Sequence, residues 1–314
     1  MKSILALTAA AGFGAALALQ TGPVLAQGGP PQQNLPEGIR GGSEVVPEAG
    51  VEIRTYRFEE TGEELPYSVY VSSKIEPGAK APLIIALRGF TGTTLTFVRG
   101  TAVDLAEEGG YILAGPIGYN NRAGFGVQMG ARAAGPAPAA ARRGGPPATT
   151  PAPAPAPAGR GMPPMVGGTA ETDPALVTEY SERDVMHVLA MLREEFAVDE
   201  NRIYLMGHSQ GGGGARHLAE KYDSIWAGVA LLAPALFNVE LTPESSILDV
   251  PLLIAVGDQD SLIDSARGFS EQLAALNGTH EYLEFAGLDH STIILGSQPE
   301  VFRFFAQHSR ASGE

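Results

Sequence analysis

The stretch RIYLMGHSQGGGG, residues 202–214, decides how this chain is read. Arg202 to Met206 is a short run of strand-favouring side chains that ends abruptly in Gly207-His208-Ser209-Gln210-Gly211. A run of this length bounded by glycine predicts a buried strand, and the spacing of Ala215 to Tyr222 beyond it predicts a helix. Strand, tight turn and helix around Gly-x-Ser-x-Gly lift a serine hydroxyl clear of the carboxyl edge of a sheet. The flanking glycines suit a strained turn in which side chains would strike neighbouring backbone. Gly212, Gly213 and Gly214 are poor helix formers, so their presence predicts a helix packed close to the sheet. Ser209 is the candidate nucleophile.

A serine hydroxyl becomes nucleophilic when a histidine takes its proton and a carboxylate orients that histidine. Both partners should stand just beyond later strands, in the chain order serine, acid, histidine. Pro251 to Val256 (PLLIAV) is such a strand and runs into Gly257-Asp258-Gln259-Asp260. Asp260 is the candidate acid. Asp258 is its competitor, expected to stabilise the turn, and Asp264 belongs to the following helix. Glu281 to Phe285 is the last strand, followed by Ala286-Gly287-Leu288-Asp289-His290, which makes His290 the candidate base. His208, inside the turn, is expected to point away from the serine. His187 and His217 fall on helices, His280 begins a strand and His308 ends the last helix. Two backbone N–H donors must face the developing oxyanion. Gln210, following the nucleophile, offers one. Phe90 offers the other, in the Arg88-Gly89-Phe90-Thr91-Gly92 loop after the apolar run Pro82 to Leu87 (PLIIAL).

Elsewhere the chain alternates. Val51 to Phe58 and Leu65 to Val71 flank a turn and predict a hairpin. Phe97 to Glu108 has helical spacing with Gly109-Gly110 as its stop, and Tyr111 to Ala114 is the next strand. Ser181-Glu182-Arg183-Asp184 has the spacing of a capping box before Val185, Val188, Leu189 and Leu192. Ala227 to Leu232 is a buried strand, and Ser261 to Leu276 and Glu300 to His308 are helices. This pattern predicts an α/β fold: a mostly parallel central sheet with helices on both faces and an N-terminal antiparallel hairpin.

The 314 residues carry a formal net charge of −14, are 44% hydrophobic and include no cysteine. Thiolate catalysis and iron–sulfur ligation are therefore excluded, and the acidic balance argues against a nucleic-acid partner. Lys2, the apolar run Ile4 to Leu19 and Val24-Leu25-Ala26 have the layout of a secretory signal peptide over residues 1–26. The run is shorter than the ~20 residues of a bilayer span, so the expectation is export to the periplasm or medium, without stable membrane insertion after cleavage. Residues 27–50 read as a flexible lead-in and 51–314 as one domain, which carries a Pro/Ala-rich, disordered insertion at about 130–168. No acidic residue occurs between Glu108 and Glu171. The insertion's Arg132, Arg142, Arg143 and Arg160 suggest a weak contact with an anionic envelope polymer. No His-Glu-x-x-His or histidine cluster suggests a metal, and Asp258, Asp260 and Asp264 lack the remaining ligands of a calcium loop.

Taken together, SERDVMHVLAMLREEF, DENRIYLMGHSQGGGG, VGDQD and GLDHS give the region from Pro66 to His308 a resemblance to the α/β-hydrolase superfamily. The chain is most similar to exported bacterial esterases and to prolyl-oligopeptidase-like or dienelactone-hydrolase-like proteins, with polyhydroxybutyrate depolymerases and feruloyl esterase-like enzymes nearby. The resemblance implies hydrolysis of a small or polymeric carboxylic ester through an acyl-enzyme, without metal or organic cofactor. Such families often carry His-Gly in the oxyanion loop; Arg88-Gly89 departs from this, with an expected change of polarity at the site mouth. Two alternatives are a prolyl-oligopeptidase-like peptidase, for whose usual propeller this chain has no room, and a non-catalytic envelope-binding protein on a hydrolase scaffold.

Overall fold

The computed structural model describes residues 47–128, 163–237 and 239–310. The expected signal peptide, most of the lead-in and most of the Pro/Ala-rich insertion lie outside these residues. Eight strands form one sheet in the order β1-β2-β4-β3-β5-β6-β7-β8. They are β1 (Val51–Arg57), β2 (Glu64–Val71), β3 (Ala81–Leu87), β4 (Ile112–Pro116), β5 (Val198–His208), β6 (Gly228–Leu232), β7 (Leu252–Gly257) and β8 (His280–Phe285). The pairs β1–β2 and β2–β4 are antiparallel, and every pairing from β4 through β8 is parallel.

Helices cover both faces: α1 (Thr101–Gly109), α2 (Pro174–Glu195), α3 (Gln210–Lys221), α4 (Ile263–Ala275), the single turn α5 (Ile293–Gly296) and α6 (Gln298–Gln307). Successive strand residues point to opposite faces, which divides the core in two. Leu83, Ile85 and Leu87 of β3, with Ile203 and Leu205 of β5, pack under α2, α3 and α4. Ile84, Ala86, Tyr204 and Met206 pack on the other side with Ala102 and Ala106 of α1 and Val301 and Phe305 of α6. Strands buried on both sides read as continuous apolar runs, as PLIIAL and PLLIAV do.

Several sequence expectations need correction. Phe97 and Val98 are buried in a turn, and α1 begins only at Thr101. Its leading Gly100 donates its N–H to the Glu48 carboxylate at 2.8 Å, so ordered chain reaches back before Val51. Ser181-Glu182-Arg183-Asp184 is no cap but lies in the middle of α2, whose N-cap is Asp173, accepting from the Ala175 N–H at 2.8 Å. The polar side chains of the quartet serve tertiary contacts instead. Asp184 accepts from Tyr56 Oη and the Gly118 N–H at 2.6 Å each. Glu182 accepts from Lys221 Nζ and Tyr222 Oη at 2.5 Å each and from His217 at 2.8 Å. The insertion also ends earlier than expected: residues 163–168 are docked. Asn120 bridges to Gly167, Val166 exchanges backbone and side-chain hydrogen bonds with Asn121, and the Gly168 N–H donates to the Tyr119 carbonyl at 2.7 Å. These bonds satisfy backbone that composition alone assigned to an unpacked loop.

Because β3, β5, β7 and β8 run parallel, the loops that follow them open at the same edge of the sheet. Crevices at the carboxyl ends of strands are where open α/β sheets bind ligands.

Candidate active site

β5 delivers Ser209 into a turn with φ 55° and ψ −116°. A non-glycine residue held at such a dihedral costs on the order of 1–3 kcal/mol and persists where its surroundings over-determine it. Here the Ser209 N–H donates to the Leu232 carbonyl at 2.9 Å, and its own carbonyl accepts from Gly213 at 3.1 Å and Ala235 at 2.8 Å. Close packing explains the glycines. A Cβ at Gly207 would overlap the Gly211 carbonyl, and one at Gly211 would overlap the carbonyls of Leu87 and Arg88. The start of α3 is thereby pressed against the end of β3. Ser209 itself stays partly exposed among buried neighbours.

His290 reaches the serine from the loop after β8. Its Nε2 lies 2.9 Å from Ser209 Oγ, and its Nδ1 lies 2.7 Å from Asp260 Oδ2. The Asp260 side chain is 0% exposed and that of His290 is 42% exposed, so the carboxylate is sealed behind an imidazole that faces the opening. A carboxylate can only accept, which places the proton of neutral His290 on Nδ1 and leaves the Nε2 lone pair for the serine hydroxyl. Asp260 is held in turn by the Leu262 N–H, 2.9 Å from Oδ1. Asp258 does not approach His290; it accepts the Gly287 N–H at 2.8 Å and joins the loops after β7 and β8. Asp264 is exposed on α4 near Arg267. Asp289 accepts from the N–H groups of Ser291 and Thr292 and from the Thr292 hydroxyl, which folds the turn that presents His290. The Thr292 bonds hold its carboxyl below the usual range.

His208 packs against the candidate base: its ring centroid lies 4.6 Å from that of His290, and its Nε2–H donates to the His290 carbonyl at 2.6 Å. Burial, with the neighbouring His290 adding to it, lowers its pKa to about 4, so it stays neutral beside the candidate base. Its position inside the elbow was visible in the sequence; its partner, 82 residues onward, was not.

The loop after β3 lies against the elbow. A Cβ built on Gly89 would sit 2.8 Å from His208 Nδ1 and 3.4 Å from Ser209 Cβ. Phe90 follows it with its ring half exposed, and among the described residues neither the Phe90 nor the Gln210 N–H has an acceptor. As the first residue of α3, Gln210 has no carbonyl one turn back to receive its N–H. Arg88 is not at the mouth, as its position beside Gly89 suggested, but is completely buried. Phe97, Tyr119 and Phe125 are core residues. Phe90, Met165, Val166 and Phe237 are exposed apolar side chains. They stand on or beside segments tied to the elbow or the loop after β3: Asn121 bonds both Thr91 and Val166, and Ala235 bonds Ser209. Among the described residues, no group of three or more His, Cys, Asp or Glu could hold a metal ion.

A family model described as PET hydrolase-like matches residues 191–307, a span that contains Ser209, Asp260 and His290. No curated relative matches the sequence. Among solved structures, the chain is similar to a ferulic acid esterase of the anaerobic fungus Anaeromyces mucronatus (TM-score 0.57, 16% identity, 86% of this chain and 96% of that one). It is also similar to an S-formylglutathione hydrolase from Agrobacterium tumefaciens (TM-score 0.56, 16% identity, 82% of this chain and 94% of that one). A thermostable esterase aligns with TM-score 0.53 and 18% identity over 83% of this chain, but this spans only 64% of the esterase's length. The strand order, the elbow after β5 and these structural neighbours agree: the chain has the α/β-hydrolase fold.

Proposed function

We propose that the protein is a serine hydrolase that cleaves carboxylic esters through an acyl-enzyme. The observation that carries this reading is the unbroken relay from Ser209 Oγ through His290 to the buried Asp260, at 2.9 and 2.7 Å. In acylation His290 Nε2 takes the Ser209 proton as Oγ attacks the ester carbonyl. The backbone N–H groups of Phe90 and Gln210 receive the oxyanion. Asp260 holds the Nδ1–H and stabilises the imidazolium, which then protonates the leaving alcohol. A water deprotonated by His290 releases the acid and restores the serine. The matched family model and the structural neighbours are described as hydrolases and esterases, which favours an ester over a peptide bond. The exposed Phe90, Met165, Val166 and Phe237 favour an apolar ester over a charged one.

The test is turnover of p-nitrophenyl esters of increasing acyl length and of a peptide panel by the wild type and Ser209→Ala. Removal of the nucleophile is expected to lower kcat by about 10⁴- to 10⁶-fold. Equal inactivity of both proteins on every substrate would overturn the proposal, and cleavage confined to peptides would overturn its ester assignment.

A further inference from the structure

Arg88 is a fully buried cation with no carboxylate among its hydrogen-bond partners. A guanidinium has five N–H donors in a fixed fork, and here all five are used. Nε donates to the Ile117 carbonyl at 2.9 Å; Nη1 donates to the Gly89 carbonyl at 3.1 Å and to Gln210 Oε1 at 3.2 Å; Nη2 donates to the carbonyls of Asn120 and Ala123. Its plane also lies over Phe125, with Cζ 4.8 Å from the ring centroid. Burial lowers its pKa to about 9, still above neutrality, so the cation persists under ordinary assay conditions.

Two of these bonds reach the residues whose N–H groups face the oxyanion in the proposed mechanism. The Gly89 carbonyl belongs to the same peptide unit as the Phe90 N–H. In a trans peptide the two point in opposite directions, and no cis bond is present among the described residues. Drawing the carbonyl inward to Arg88, with the Gly92 N–H at 3.0 Å on its second lone pair, turns the Phe90 N–H outward. A charge-assisted bond on the carbonyl also polarises the whole peptide and strengthens its N–H as a donor. Gln210 is gripped by its side chain, with Oε1 on Arg88 and Nε2 donating to the Arg122 carbonyl at 2.9 Å, which leaves its backbone N–H free.

Building on the proposed esterase reading, we propose that Arg88 is the positioning residue of the oxyanion hole: one buried guanidinium aims and polarises the Gly89–Phe90 peptide and fixes Gln210 beside it. The effect belongs to the tetrahedral state and not to substrate binding. Arg88→Met is expected to lower kcat by about 10²-fold, the lower end of what deleting one oxyanion donor costs, and Arg88→Lys, which keeps the charge but not the fork, by about tenfold. KM should change little, and the inhibition constant of a trifluoromethyl ketone, which adds to the serine as a tetrahedral oxyanion, should rise in proportion. Rates are referred to the serine titrated by a fluorophosphonate, so that misfolded protein is not counted. An unchanged kcat per titrated serine, or a loss carried wholly by KM, would overturn the inference. Should neither variant fold, the wild type still decides. With the ketone bound, the amide protons of Phe90 and Gln210 should move downfield, and an unmoved Phe90 signal overturns the assignment. A wild type no more active than Ser209→Ala defeats the esterase reading itself; an active wild type with unaffected Arg88 variants defeats only the role of Arg88.

Discussion

Replacing Asp260 by asparagine exchanges one carboxylate oxygen for an NH₂ group and should disable the relay without moving it. In the wild type, Oδ2 accepts the His290 Nδ1–H at 2.7 Å while Oδ1 accepts the Leu262 N–H at 2.9 Å. Both neighbours are donors, and the side chain is sealed from water. Asparagine has one acceptor and one donor end. If its oxygen stays on Leu262, its NH₂ faces His290 Nδ1, and that nitrogen must become the acceptor. The ring proton then sits on Nε2, aimed at Ser209, and no lone pair remains to take the serine proton. The opposite flip sets the NH₂ against the Leu262 N–H and leaves a buried donor unpaired, at a cost of about 1–3 kcal/mol. The first arrangement is therefore preferred, and it is the inactive one. A wrong tautomer of this kind costs about 10⁴-fold in kcat, about 5 kcal/mol of transition-state stabilisation. The assay is kcat on a p-nitrophenyl ester near neutral pH for Asp260→Asn, with Asp258→Asn as the control, since Asp258 only joins two loops. A kcat for Asp260→Asn within tenfold of the wild type, or a larger loss in the Asp258 variant, would refute the reasoning.

Three further outcomes follow from other parts of the molecule. His208→Phe removes the donor that holds the His290 carbonyl; loss of one such bond, about 1–1.5 kcal/mol, should lower kcat roughly tenfold with KM little changed, and a kcat equal to wild type would show that the loop holds itself. Burial alone would raise the Glu182 pKa, but bonds from His217, Lys221 and Tyr222 outweigh it and bring it down to about 2. A depressed carboxyl stabilises the fold above its unfolded pKa and loses that contribution as pH falls through the folded value. Stability should therefore decline from about pH 4.3 toward about pH 2, and Glu182→Gln should be less stable at neutral pH and flatter over this acid range; thermal melts across it decide, with equal slopes counting against the account. Gly211→Ala forces a methyl group onto the backbone of Leu87 and Arg88, and overpacking of this kind costs about 1–3 kcal/mol; an unshifted urea midpoint would mean that α3 can slide away from β3.

What the sequence by itself determined was local. The buried strand, the glycine-bounded elbow and the helix after it are contiguous, so their pattern is complete within residues 202–222. The apolar runs PLIIAL and PLLIAV likewise revealed strands covered on both faces, because burial acts on each residue where it stands. The alternation of strand and helix was enough for a mostly parallel sheet, with its hairpin at one edge. Tertiary structure decided everything that depends on which distant groups meet. Asp258 and Asp260 are chemically alike and two residues apart, and only the packing of the loops after β7 and β8 gives Asp260 to His290 and Asp258 to Gly287. Ser181-Glu182-Arg183-Asp184 matched a helix cap because capping is a local pattern, yet its carboxylates gain more from Tyr56, Gly118, His217, Lys221 and Tyr222, all far along the chain. His208 and Arg88 looked like a side chain pointing away and a charge at the mouth; folding buries both, one against the His290 carbonyl and one against the Gly89 carbonyl of the loop after β3. Buried polar groups are stabilised by hydrogen-bond partners, and the groups that receive the Arg88 guanidinium and the His208 Nε2–H are brought to them only when the parallel strands align their carboxyl ends at one edge of the sheet.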